Sequence, residues 1–427
     1  MIRLIYFLLL FIFIQCSNQF NWIEYRGKNG SGFTAENILP PLGLKWKIKI
    51  QKEKMQKKRA FNPPIIIDNI IYFGSPDGNF YAFDLETGYM KWIFKTKGAV
   101  NSVPFADEKN IYFGSNDGNV YAVNKETGEK VWSFYTGRTV QSLVLRYKEN
   151  IIFTSDTGAT YFLDLNGNPV YQLPNPVWSH HTFQVYDDIV YWAPSGRRFG
   201  AFKIDTKEFL WFVNVDAPYP LWYSFPAIDD KNIYFSSSFF KGSEGVEFNY
   251  YAMDRITGEL LWQKTDYYQT SLFFPVNERT TFLDHVELLD YMAPALWKDL
   301  VIYTSGDTII RAFNKYTGEI VWTKELRYPT SSAPTIAGNR MYFGVNGITA
   351  TTDSGLFVNP PKLMCISVED GTTIWEYETE GSVLNSPLIS NGKIIFGTDE
   401  NIFYVLEEVF NFSDYINPVL KLIHLKY

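Results

Sequence analysis

The chain repeats itself. Ile71–Trp92 and Ile111–Trp132 align at a constant offset of 40 residues. Ile71-Tyr72-Phe73-Gly74-Ser75 matches Ile111-Tyr112-Phe113-Gly114-Ser115, and Asp77-Gly78-Asn79 matches Asp117-Gly118-Asn119. Tyr81-Ala82, Glu86-Thr87-Gly88 and Trp92 match Tyr121-Ala122, Glu126-Thr127-Gly128 and Trp132. Each copy alternates short apolar runs with Asp-Gly and Thr-Gly turns, the pattern of several short strands. So small a unit cannot bury its own faces and must lean on its neighbours. A period near 40 built from short strands is the signature of a β-propeller. A ring of such units also accommodates 427 residues, which is long for a single core.

The later copies are more worn. Unit one covers Phe61–Val100 and unit two Asn101–Val140. In unit one the strands are expected near Pro64–Ile67, Ile70–Gly74, Phe80–Asp84 and Met90–Thr96. Unit three has Tyr171 in the Trp place, and unit four keeps Trp211 but has Lys207 in the Gly place. Units five, six and seven carry Trp262, Trp322 and Trp375, with Cys365 where Ala stands in other copies. Unit eight, Leu384–Glu408, lacks a Trp strand. Leu44–Ile50 is such a strand without a unit: Leu44, Trp46, Ile48 and Ile50 alternate with Lys45, Lys47 and Lys49. Pairing it with Phe403–Leu406 completes an eighth blade and removes two open edges. The expected fold is all-β: an eight-bladed propeller of four-stranded antiparallel blades, over residues 44–409.

The N-terminus reads as an address. Arg3 precedes an unbroken apolar run of 11 residues, Leu4–Ile14. That is too short to span a ~30 Å bilayer core and suits a signal peptide over 1–15. Cys16 follows at once and resembles a lipoprotein cleavage site, although Gln15 stands where Gly, Ala or Ser is preferred. An unlipidated exported protein and an uncleaved anchor are the alternatives. Residues 16–43 read as an N-terminal linker and 410–427 as a C-terminal tail. The net charge of −7 argues against general nucleic-acid binding. Two cysteines, Cys16 and Cys365, offer no disulfide framework.

The pattern Tyr-Ala-x-Asp-x-x-Thr-Gly-x-x-x-Trp at Tyr81–Trp92 and Tyr251–Trp262 resembles the repeat of pyrroloquinoline quinone (PQQ) dehydrogenases. PQQ-like propellers that bind no quinone share it, notably the BamB-type outer-membrane-assembly lipoproteins. The resemblance covers about Leu44–Glu408. It implies that Trp46, Trp92, Trp132, Trp211, Trp262, Trp322 and Trp375 dock structurally between blades, where each buried aromatic contributes several kcal/mol (truncation costs ~3–5 kcal/mol). The quinone enzymes hold Ca²⁺ with carboxylate and amide oxygens, and alcohol-oxidising members add an adjacent-cysteine disulfide. This chain has no Cys-Cys pair, no Cys-x-x-Cys-His and no run matching the cofactor site. No catalytic, cofactor-binding or metal-ligating residue is assigned; PQQ with Ca²⁺ remains the alternative.

Among four histidines only His180 and His181 are adjacent, and neighbours on a strand face opposite ways, which suits no single metal. Aromatics gather instead in connections that share one face of a propeller. These carry Trp178, His180 and His181, then Tyr219, Trp222 and Tyr223, then Tyr267 and Tyr268. Long middle loops are expected there at Ser237–Phe248 and Asn346–Pro361, with an insertion at Thr265–Glu287. Such a face suits partner recognition; the alternative is that it closes the channel mouth. The expected protein is a monomeric, non-enzymatic lipoprotein scaffold that binds envelope or outer-membrane proteins, through outer-membrane assembly. The alternatives are a PQQ-dependent oxidoreductase and a carbohydrate- or peptide-binding module.

Overall fold

The computed structural model describes residues 21–50, 63–174, 183–192, 198–214, 222–223, 225–240, 246–268, 293–304, 307–352 and 355–409. They form eight blade sheets packed against their neighbours, in which consecutive strands of a blade pair antiparallel; blades seven and eight each also take a strand from the N-terminal segment. Apart from one 3₁₀ turn at Lys28–Gly30, no helix occurs among the described residues. This is the eight-bladed propeller expected from the repeat. Blade one runs Ile65–Ile67, Ile70–Gly74, Asn79–Asp84 and Met90–Lys95. Its second and third strands are buried along almost their whole length, with Tyr72, Phe73 and Phe80 enclosed. Flanking blades cover both faces there, so those strands read as continuous apolar runs. The outer strand alternates half-buried and exposed residues because its edge meets solvent.

A bulge recurs where the third and outer strands pair, and it explains the motif. In blade one the register shifts so that Trp92 lies opposite Ala82. The same shift sets Trp132 opposite Ala122, Trp211 opposite Ala201, Trp262 opposite Ala252 and Trp322 opposite Ala312. The extra residue turns the indole toward the next blade, and the small Ala leaves it room. Each indole then donates to a carbonyl of the next blade's turn. Trp92 Nε1 reaches the Lys125 carbonyl at 2.9 Å, and Trp262 Nε1 the Lys315 carbonyl at 3.0 Å. The ring lies on the glycine of that turn. A Cβ on Gly128 would stand 2.6 Å from Trp92 Cδ2, so only glycine fits, at φ +71°.

Blade eight takes its outer strand from the other end of the chain. Leu42–Lys49 pairs antiparallel with Ile402–Glu408, with Ile48 opposite Phe403. Trp46 stacks on Gly88 of blade one and donates to the Leu85 carbonyl at 2.8 Å. One expectation changes here. The bulge between Leu44 and Trp46 breaks the alternation, and Leu44 stands exposed rather than beside Trp46.

Over residues 21–41, the stretch read as a linker is part of the fold. Asn21 meets the first turn of blade one at Asp68, and Trp22 bridges Ile66 on the inner strand. Tyr25 packs on Phe225 of blade five at 4.6 Å between ring centres. Phe33–Thr34 lies parallel to Thr335–Ala337 of blade seven. The Glu36 carboxylate accepts the backbone N–H groups of Asn391 and Gly392 in blade eight, both at 3.0 Å. The segment therefore enters the central channel, crosses it and leaves at the end where it entered. The partners define two faces. The turn face carries the Thr-Gly turns and both ends of this segment. The loop face, opposite, carries the blade-to-blade connections and the turns between middle strands.

Candidate functional site

The loop face is built on a repeated threonine. Four residues after the indole, Thr96, Thr136 and Thr379 each sit at the end of an outer strand. The Thr96 hydroxyl lies 2.9 Å from the Gly78 carbonyl and 2.6 Å from that of Gly98. Thr136 repeats this with Gly118 and Arg138, and Thr379 with Pro361 and Gly381. The hydroxyl thus ties the blade-to-blade connection to the middle-strand turn. The sequence reading missed it, although the spacing Trp-x-x-x-Thr was available.

Blade five departs from this plan. Asp266 holds the threonine place, and its carboxylate accepts from Arg311 Nε of blade six at 2.5 Å. Arg311 is enclosed and also forks onto Asp307, at 3.1 and 2.7 Å. Its guanidinium lies 5.6 Å from the Tyr250 ring centre. Burial pulls the Arg311 pKa down, but Tyr250, Asp307 and Asp266 outweigh it and hold it above its ordinary value. The cluster clamps blade five to blade six. Blade five itself rises above the face: its strands Asn232–Phe240, Val246–Asp254 and Leu260–Tyr268 have 9 residues each. The long middle loop expected at Ser237–Phe248 is therefore mostly a strand pair extending the blade. In blade seven, Ile348–Thr352 and Gly355–Asn359 likewise form a separate hairpin within the loop expected at Asn346–Pro361.

Between blades two and three the loop face opens into a cleft of about 470 Å³. Asn116, Asp117, Tyr135, Arg138, Thr139 and Asp156 line it. Asp117 accepts from the Tyr121 hydroxyl at 2.7 Å and from backbone N–H groups of Lys97 and Asn119. Burial raises the Asp117 pKa, but these hydrogen bonds prevail and hold it below the usual carboxylate range. The cleft combines an aromatic wall with donors and acceptors, the chemistry of a small polar ligand or peptide side chain.

Of the residues expected on the recognition face, Trp178, His180, His181 and Tyr219 lie outside the described residues, as does Cys16. Trp222–Tyr223 pairs with Ser237 and Ser238 beside the inner edge of blade five. Tyr267 and Tyr268 end the outer strand of the same blade, opposite Glu247 and Val246. One sheet thus carries both aromatic pairs near its loop-face end, and the Tyr267 side chain is exposed. Cys365 is buried opposite Trp375, and burial pushes its thiol up to about 12, so it is no nucleophile at neutral pH.

The channel holds the most enclosed polar group of the N-terminal segment. Arg26 Nη1 donates to Ser386 Oγ at 2.8 Å, and Nη2 to the carbonyls of Pro294 at 2.6 Å and Pro334 at 3.1 Å. One guanidinium therefore binds blades six, seven and eight. Nearby in sequence, burial pushes the Glu24 carboxyl up to about 7, with Lys28 pulling it back. No three His, Cys, Asp or Glu side chains among the described residues could share a metal ion. On the loop face, Asp77 and Asp117 accept from the Tyr81 and Tyr121 hydroxyls, and Asp266 and Asp307 from Arg311.

Fold and repeat together define a PQQ-like propeller. The family described as outer membrane protein assembly factor BamB matches residues 44–173, 116–271, 249–344 and 307–409, and the chain belongs to that family. Among solved structures, BamB from Moraxella catarrhalis superposes with a TM-score of 0.61 at 15% identity, covering 86% of this chain and 99% of that one. A quinohemoprotein alcohol dehydrogenase from Pseudomonas putida superposes at 0.64 with 15% identity, covering 91% of this chain and 80% of that one. At these identities the likeness is one of fold. In sequence, 155 residues are 26% identical to the quinoprotein alcohol dehydrogenase PedH of Pseudomonas putida. That stretch spans 35% of this chain and 22% of the dehydrogenase.

Proposed function

We propose that this protein is an exported lipoprotein of the cell envelope, acylated at Cys16, whose propeller is a non-enzymatic scaffold for outer-membrane protein assembly. The observation that carries this reading is the family match, which extends around the whole ring. The raised end of blade five, with Trp222, Tyr223, Tyr267 and Tyr268, is the partner-binding surface in this reading. A rigid sheet that carries aromatic residues at its end, with the Tyr267 side chain exposed, loses little entropy on docking. The test is mild crosslinking in cells followed by purification of the tagged chain. An outer-membrane barrel complex should co-purify with the native protein. It should be lost from a Trp222→Ala, Tyr223→Ala, Tyr267→Ala variant that melts like the native protein. Equal recovery with both would reject this surface, and no barrel partner with either would reject the scaffold reading.

The stretch shared with PedH favours a second reading, a PQQ-dependent oxidoreductase. Dye-linked alcohol oxidation after incubation with PQQ and Ca²⁺ would support it and displace the scaffold.

A further inference from the structure

Two blades break the charge pattern of the turn face. At the tip of the Thr-Gly turn, the residue whose N–H caps the preceding Asp, Asn or Ser side chain is Glu86, Glu126, Asn166 or Glu369 in four blades. In blades five and six the same position holds Ile256 and Tyr316. The outer strands beside them begin Leu260-Leu261 and Ile320-Val321. All six side chains are 43–56% exposed. They adjoin one another, because Trp262 stacks on Gly318 and donates to the Lys315 carbonyl. A polar tip thus becomes apolar at a corner of two adjacent blades, with the exposed Glu259 and Glu319 between tip and strand, and clustered apolar surface of this kind marks a contact site.

What covers the corner follows from where the chain leaves the fold. Asn21 is held at the turn-face end of blade one by Asp68. Cys16 is five residues earlier, so a lipid on it is tethered by at most ~18 Å of extended chain. Reaching the loop face from the channel would require crossing four strands, ~14 Å, and climbing their length, ~20 Å. The tether is too short for that path, so the bilayer that takes the lipid must meet the turn face. We propose that the turn face lies against the membrane, with the Ile256–Val321 corner seated in the lipid interface and the loop face turned away. The proposal rests on acylation of Cys16, part of the function proposed above. The surrounding turns carry both signs, Asp230 and Lys231, Lys298 and Asp299, so apolar burial rather than attraction to anionic lipid holds the corner.

The test uses the lipidated full chain in phosphatidylcholine vesicles containing doxyl-labelled lipid. A polarity-sensitive dye is placed at Ile256→Cys, Ile320→Cys or, on the loop face, Lys97→Cys. Cys365 is buried and stays unlabelled. The dye at 256 and 320 should shift to the blue and lose about half its emission, as at a depth of ~5–10 Å; at 97 it should do neither. Quenching at 97, or none at 256 and 320, overturns the orientation while leaving acylation intact. Shielding at 256 that depends on protein concentration without vesicles assigns the corner to a second copy and overturns the proposal. A chain that carries no palmitate and does not float with vesicles overturns both the orientation and the lipoprotein reading.

Discussion

The Lys207 ammonium stands 5.1 Å from the centre of the Tyr171 ring, where blade three meets blade four. Six other blade junctions place an indole on a glycine at this point: Trp46 on Gly88, Trp92 on Gly128, Trp132 on Gly167, Trp211 on Gly258, Trp262 on Gly318 and Trp322 on Gly371. The two departures noted in separate repeats are thus one contact. A smaller ring in blade three leaves space for a side chain in blade four, although Lys207 must still hold φ at +58°. Opposite Tyr171 stands Phe162 rather than Ala, which fills the space an indole would need.

The pair should therefore be coupled. Tyr171→Trp alone forces the indole onto the Lys207 side chain and should cost ~1–3 kcal/mol. Lys207→Gly alone relieves ~1 kcal/mol of left-handed strain and loses a weak cation–π contact. The double variant should exceed the sum of the singles by about 1 kcal/mol, read by urea unfolding as a double-mutant cycle. Additive effects would mean that Lys207 and Tyr171 do not share the site.

Two glycines separate contact from conformation. Gly128 and Gly137 both have positive φ, +71° and +93°. A Cβ at 137 meets nothing within 4 Å, whereas at 128 it overlaps Trp92. Gly137→Ala should cost only the ~1–2 kcal/mol of backbone strain. Gly128→Ala should cost at least ~2 kcal/mol more, because both the indole and the turn are fixed. Thermal melts of the two variants give the difference directly; equal melting temperatures would deny that the glycine is there for the indole.

Arg26 should matter more than any surface cation. Arg26→Met keeps the length and apolar stem but removes the donors to Ser386 Oγ and the two proline carbonyls. Loss of several charge-assisted bonds in a buried site should cost ~2–4 kcal/mol. Cooperative chemical unfolding measures it, and a native midpoint in the variant would mean that the channel segment adds nothing to the ring.

Much of this ring could be read from the chain because each blade states the same local physics: Gly where the indole lands, Ala opposite it, Asp or Asn to cap the turn. The strand Leu44–Ile50 could be read because Trp46 sits in period-two alternation. The channel segment could not. It has no period, and it is held by single bonds to many blades, with Gly27, Gly30 and Gly32 all at positive φ. Ser236-Ser237-Ser238 looks like loop composition, yet pairing with Tyr250, Asn249 and Phe248 makes it a strand. The apolar corner left a signal in the sequence: Ile256 and Tyr316 stand where Glu86 and Glu126 do. Comparing the repeats position by position for what differs, rather than for what recurs, would have found it.

The channel segment should also make stability depend on pH with an unusual sign. The Glu24 carboxyl is held at about 7 in the folded chain by burial, against 4.5 for the free group. Between these values the folded protein binds a proton that the unfolded chain has released. Stability from this group is therefore full below pH 4.5 and falls as pH rises toward 7, by about 3 kcal/mol in all. Above 7 the folded state carries a buried charge, eased by Lys28. Glu24→Gln removes the titration while keeping the shape. The variant should match the native protein near pH 4.5 and exceed it in stability at pH 8. The check is urea unfolding of both proteins across that range, taking the difference at each pH so that other carboxylates cancel. A difference that stays flat would place the Glu24 carboxylate in water rather than in a buried site.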